Sequence, residues 1–82
     1  MPTEQSPVVI YWRPGCGFCM RLRQALGADA EQATWINIWD DQDAAAFVRE
    51  ANDGSETVPT VVLDGIPVTN PDPQIVKDRL AA

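Results

Sequence analysis

Tyr11-Trp12-Arg13-Pro14-Gly15-Cys16-Gly17-Phe18-Cys19-Met20-Arg21-Leu22-Arg23 joins a run of strand character to a run of helix character, and both cysteines of the chain lie at the junction. Upstream, Val8 to Arg13 is compact, β-branched and aromatic between Pro7 and Pro14, the pattern of a buried strand. Pro14-Gly15 forces a turn. A helix is predicted from about Cys16 to Leu26, burying Phe18, Leu22, Ala25 and Leu26 at helical spacing and stopped by Gly27. Cys16 then stands at a helix N-terminus, where unpaired N–H groups and the helix dipole stabilise an anion. Cys19 lies one turn further in, within disulfide reach. The window contains three of the six cationic residues and no acid, a local +3 in a chain of net −6 whose remainder carries −9. Such surroundings favour a thiolate over a thiol. Cys16, read as an exposed thiol beside Arg13, is the candidate nucleophile.

Bulk properties narrow the function classes. A chain of 82 residues makes one domain, read as 8–82 behind a loose polar tail of residues 1–7. The acidic balance, with no basic stripe, argues against nucleic acid. No apolar run approaches a membrane span, and no apolar signal core opens the chain, so the expected compartment is the cytoplasm. Structural disulfides are uncommon there. A Cys16–Cys19 bridge would close a four-residue loop, for which chain entropy gives only about 2 kcal/mol. The pair is explained by redox chemistry, not by stapling.

The remainder reads as support for this junction. Thr34 to Trp39 is a second strand, with Ile36 and Ile38 on one side and Trp35, Asn37 and Trp39 on the other. Asp40 or Asp41 caps a second helix burying Ala44, Phe47, Val48 and Ala51, which Asn52-Asp53-Gly54 ends. Asp64-Gly65 between Val61-Val62-Leu63 and Ile66-Pro67-Val68 signals a hairpin, and Pro67 puts its second strand at a sheet edge. Asn70-Pro71-Asp72-Pro73 opens a last helix docked by Ile75, Val76 and Leu80. The order β-α-β-α-β-β-α is an α/β fold: a parallel βαβ unit and an antiparallel hairpin form a four-stranded mixed sheet with helices on both faces.

Cys-x-x-Cys opening the first helix of such a unit reads as a thioredoxin-like redox motif. With Thr57-Val58-Pro59 before the hairpin, the chain resembles glutaredoxins along nearly its whole length. Tyr11 to Cys19 is similar to the glutaredoxin segment Tyr-x-Lys-Pro-x-Cys-Pro-Tyr-Cys, with Arg13 at the lysine position. Within that family it resembles the mycoredoxin branch, on Ala45-Ala46-Phe47-Val48, Thr57-Val58-Pro59 and Thr69-Asn70-Pro71. The resemblance implies a thioredoxin/glutaredoxin fold with a cis Val58–Pro59 bond. It also implies a thiol–disulfide oxidoreductase with Cys16 as nucleophile and Cys19 as resolving thiol. No metal or bound cofactor is expected, and mycothiol or glutathione serves as co-substrate. Thr69-Asn70 stands where glutathione-using members keep Gly-Gly, which favours mycothiol.

The expected partners are a low-molecular-weight thiol and thiolated or disulfide-containing proteins, with no nucleic acid and no membrane, and the chain is read as a monomer. Arg13, Phe18, Thr57, Val58, Pro59, Thr69 and Asn70 are the expected substrate-binding residues. Arg13 is suited to holding a carboxylate, and the backbone of Val58 to pairing with a substrate segment as an added strand. Asp72 fits either the thiol site or a helix cap. One alternative is a redoxin reduced by thioredoxin reductase, although the Trp-Ser-Gly-Phe-Arg-Pro ending of that group is absent. The other, a non-enzyme, is an iron–sulfur cluster carrier held through Cys16.

Overall fold

The computed structural model describes residues 7–81. The elements are β1 (Val8–Trp12), α1 (Gly17–Leu26), β2 (Thr34–Asn37), α2 (Gln42–Ala51), β3 (Thr60–Leu63), β4 (Ile66–Thr69) and α3 (Pro73–Ala81). A 3-10 helix not foreseen from the sequence, Gly27–Gln32, follows α1 directly. The sheet order is β2-β1-β3-β4; β1 pairs parallel with β2, and the other two pairings are antiparallel. This is the expected four-stranded mixed sheet. Of the expected N-terminal tail, residues 1–6 lie outside the described residues; the Pro7 carbonyl accepts the Asp64 N–H at 3.0 Å.

Strand alternation divides the core into two layers. Val8, Ile10 and Val61 face Leu22 and Leu26 of α1, Ala30 of the 3-10 helix and Val76 of α3. On the other face Ala44, Ala45 and Val48 of α2 pack with Ile38, Val58 and both cysteines, and Tyr11 and Ile36 lie against them. Helices therefore cover both faces.

Local signals set the element ends. Asp41 caps α2 by accepting the N–H groups of Asp43 (3.0 Å) and Ala44 (3.1 Å). Asp72 accepts the Gln74 N–H at 2.8 Å and so caps α3, with Pro73 as its first residue. Asp64 and Gly65 both have positive φ, 51° and 88°, as a two-residue hairpin turn of this kind requires. Pro67 sits in β4, an edge strand, as expected.

Several expectations on extent and burial are corrected. β2 ends at Asn37, because the Asn37 side chain accepts the Trp39 N–H at 2.9 Å and turns the chain after Ile38. Helix α1 begins at Gly17, with Cys16 as its cap. Phe18 and Ile75, expected in the core, are 55% and 51% exposed, and Ala25 and Ala51 are also exposed. Each falls on the flank of a stripe whose centre is already filled, by Cys19 and Leu22 in α1 and by Val76 in α3.

Candidate active site

Gly15, at φ 80°, makes the turn that brings the chain from β1 to the start of α1. Cys16 caps that helix from extended backbone (φ −90°, ψ 110°), and its Sγ accepts the Cys19 N–H at 3.2 Å. This hydrogen bond satisfies one of the orphan donors of the first helical turn, and a thiolate can accept it equally well. The Cys16 thiol lies 3.5 Å from the Val58 carbonyl, to which it donates. Cys16 is only 6% exposed. The expectation of an exposed nucleophile is corrected here: Val58, itself buried, lies over it.

Cys19 is 2% exposed, and both cysteines are free thiols. Burial first, and then the hydrogen bond with Cys16, pushes the Cys19 thiol up to about 12, against a smaller downward pull from the Arg13 backbone and guanidinium. At neutral pH Cys19 is a proton-bearing thiol.

The Val58–Pro59 bond is cis. The surrounding loop is tied from three sides. Asn70 donates its N–H to the Pro59 carbonyl at 2.8 Å, Thr60 Oγ1 donates to the Thr57 carbonyl at 2.8 Å, and the Ser55 and Thr57 hydroxyls pair at 2.8 Å. Asn52 completes the frame. Its amide donates to the Val48 carbonyl (2.8 Å) and to Thr60 Oγ1 (3.1 Å), while its Oδ1 accepts the Thr69 hydroxyl (2.5 Å). Sequence reading assigned Asn52 only to a helix stop, since contacts 8 and 17 residues away leave no local trace. Thr57, Thr69 and Asn70 are exposed at this rim, and Asn70 adopts a left-handed φ of 46°.

The local positive charge is held on aromatic faces. The guanidinium carbon of Arg13 lies 5.9 Å from the Trp39 ring centroid, that of Arg21 5.4 Å from Phe18, and that of Arg23 4.9 Å from Trp35. Arg13 also donates from Nη1 to the Pro14 carbonyl at 3.4 Å. Beside Cys19, a cavity of about 240 Å³ is lined by Trp12, Met20, Arg23 and Trp35. Among the described residues, no group of three or more His, Cys, Asp or Glu is placed to hold a metal ion, and no helix is long and apolar enough to cross a membrane.

Two thiols at a helix start, one hydrogen-bonded at the terminus and one buried a turn behind, facing a cis-proline loop, define a thiol–disulfide exchange site on a thioredoxin-like sheet. The Glutaredoxin family profile matches residues 8–68, and the chain belongs to that family. It is a thiol–disulfide oxidoreductase. A Mycobacterium tuberculosis protein named as a glutaredoxin is 40% identical over 76 residues, 92% of this chain and 90% of its own length. Mycoredoxin 1 of Corynebacterium glutamicum is 37% identical over 67 residues, 80% of this chain and 82% of that protein. Among solved structures, the thioredoxin-like protein BC3987 superposes with a TM-score of 0.64 at 23% identity, covering 89% of this chain and 97% of that one, which shows the shared fold.

Proposed function

We propose that the protein reduces mixed disulfides between proteins and mycothiol, with Cys16 as nucleophile and Cys19 as resolving thiol, in the cytoplasm and as a monomer. The observation that carries this reading is the place of Cys16 Sγ, between the Cys19 N–H at 3.2 Å and the Val58 carbonyl at 3.5 Å. The likeness to Mycoredoxin 1 supports the choice of thiol.

The Cys16 thiolate attacks the mycothiol sulfur of the mixed disulfide. The S–S bond to the protein breaks, the protein cysteine leaves as thiolate and takes a proton, and Cys16 becomes mycothiolated. A second mycothiol thiolate then attacks the mycothiol sulfur, giving mycothiol disulfide and free Cys16. Alternatively the Cys19 thiolate attacks Cys16 Sγ, giving the internal disulfide and releasing mycothiol. Burial holds the Cys19 thiol protonated, which works against the internal route near neutral pH.

Substrate binding is assigned to Arg13, Phe18, Thr57, the Val58 backbone, Pro59, Thr69 and Asn70. The exposed Asn70 amide can donate to and accept from substrate hydroxyls, and Thr69 Oγ1, which donates to Asn52, keeps lone pairs to accept. A site built around hydroxyls leaves polar groups unpaired with a ligand that lacks them, at about 1–3 kcal/mol each. The test compares mycothiol, glutathione and thioredoxin-reductase systems on one thiolated protein. Mycothiol mixed disulfides are expected to be reduced at least about tenfold faster than glutathione ones. Thr69→Gly with Asn70→Gly is expected to narrow the gap. Equal rates on both would return the chain to a general glutaredoxin activity.

A further inference from the structure

Trp39 is the most exposed large aromatic of the chain after the turn that ends β2, at 63%. Its backbone is nonetheless fixed on both sides. Ile38, immediately before it, is buried in the cluster that contains Cys16, Cys19 and Val58, and donates its N–H to the Trp12 carbonyl at 2.9 Å. The Trp39 N–H itself is held by Asn37 Oδ1 at 2.9 Å, and the Asp40 N–H by the Asn37 carbonyl at 3.1 Å. A loop fixed by backbone hydrogen bonds thus carries an indole in water, an apolar ring whose burial is favourable.

Because β2 runs parallel to β1, with Asn37 opposite Trp12, the ring stands at the sheet end from which the chain continues to Cys16. Arg13 lies against it at 5.9 Å and reaches the Pro14 carbonyl, two residues before Cys16. The other tryptophan that carries a stacked arginine contrasts with it. Trp35 is half-buried and spends its indole N–H on the Ala30 carbonyl at 2.7 Å, so it serves the core. The Trp39 indole N–H has no partner among the described residues. An open aromatic face, a free ring N–H and a guanidinium fork stand together.

That combination suits a sugar ring. The C–H face of a pyranose or cyclitol packs on an aromatic plane, and its hydroxyls take up the N–H donors at the edge. We infer that Trp39 is the platform for the sugar pair of the thiol co-substrate, stacking on one of its rings beside Arg13; this rests on the mycothiol reading above. Glutathione, a peptide with carboxylates and no ring, gains from Arg13 and nothing from the indole face.

The experiment measures kcat/KM on one peptide carrying either a mycothiol or a glutathione mixed disulfide, for the wild-type protein, Trp39→Ala and Trp39→Phe. Trp39→Ala is expected to lower the mycothiol-to-glutathione ratio about three- to tenfold, and Trp39→Phe to restore most of it. Indole fluorescence of the wild-type protein is expected to change on titration with the thiol-free glucosaminyl-inositol, and that of Trp39→Phe to change less. A wild-type protein without preference for mycothiol overturns the mycothiol reading and this inference with it. A wild-type preference that survives in Trp39→Ala overturns the inference alone. Equal losses on both substrates also overturn it, because Trp39 would then act only by holding Arg13.

Discussion

At the scale of single residues, the hydrogen bond from the Cys19 N–H to Cys16 Sγ separates two duties that share one motif. In the proposed mechanism residue 19 supplies a backbone donor to the Cys16 nucleophile and, independently, a side-chain thiol for resolution. Cys19→Ser keeps the backbone donor and removes only the second sulfur. It is expected to retain turnover of small mixed disulfides, within about threefold of the wild type, and to form no internal disulfide on oxidation. Cys16→Ser is expected to lose turnover altogether, since Cys19 is 2% exposed and held protonated. Steady-state assays on both variants, with mass spectrometry of the oxidised proteins, check this; turnover by Cys16→Ser would exchange the two assignments. The position of Cys16 was legible because a turn and a helix start are local events. Its burial was not, since the covering residue, Val58, is 42 positions away in sequence. The Asn52 frame was hidden for the same reason.

At the scale of elements, caps and turns were readable wherever one residue type has one physical reason to be present. Asp41 and Asp72 as helix caps, Asp64-Gly65 as a hairpin turn and Pro67 on an edge strand all stand as the sequence pattern indicates. Apolar stripes proved less exact, because periodicity gives the direction of a face but not its width. In α3 the stripe Ile75, Val76 and Leu80 narrows to Val76, at 0% exposure, with Leu80 beside it and Ile75 turned outward. The 3-10 helix carried no signal of its own, since Gly27 ends α1 and a tight turn follows without apolar spacing. These differences translate into energies of different size. Asp41→Ala removes a cap at an exposed helix end and is expected to cost about 1 kcal/mol. Val76→Ala leaves a void between α3 and the sheet and is expected to cost about 2–3 kcal/mol. Urea midpoints of the two variants measure the order directly. A larger loss from Asp41→Ala would mean that α3 docks loosely and that the sheet face under it is held by α1.

For the molecule as a whole, the same burial that holds Cys19 protonated couples folding to alkaline pH. Burial raises the Cys19 thiol from an ordinary value of 9.0 to about 12, and burial with the neighbouring Asp41 carboxylate raises the Tyr11 phenol above 10.0. In each case the folded state keeps a proton that the unfolded chain releases, so the unfolded state binds fewer protons over the interval. Stability therefore falls as pH rises through it. The contribution of Cys19 is fully present below about 9 and is lost progressively towards about 12. At the acid end the sign reverses. The Arg79 guanidinium, hydrogen-bonded to Asp64 through two N–H groups at 2.5 and 2.7 Å, holds that carboxyl below its ordinary value of 3.8, so its stabilisation is present above that pH and lost below it. Because the Asp64–Arg79 pair is solvent-exposed, its effect is the weaker of the two. The measurement is the urea midpoint of the reduced protein, kept under a phosphine reductant, at intervals from pH 7 to pH 11. The wild type is expected to lose stability steadily above about pH 9. Cys19→Ala, although less stable at every pH for the volume it removes, is expected to show a shallower slope, and the remaining slope is expected to flatten further with Tyr11→Phe. Equal slopes in the wild type and Cys19→Ala would show that Cys19 ionises as readily in the folded protein as in the unfolded chain. Internal disulfide formation would then compete with the second thiol at neutral pH.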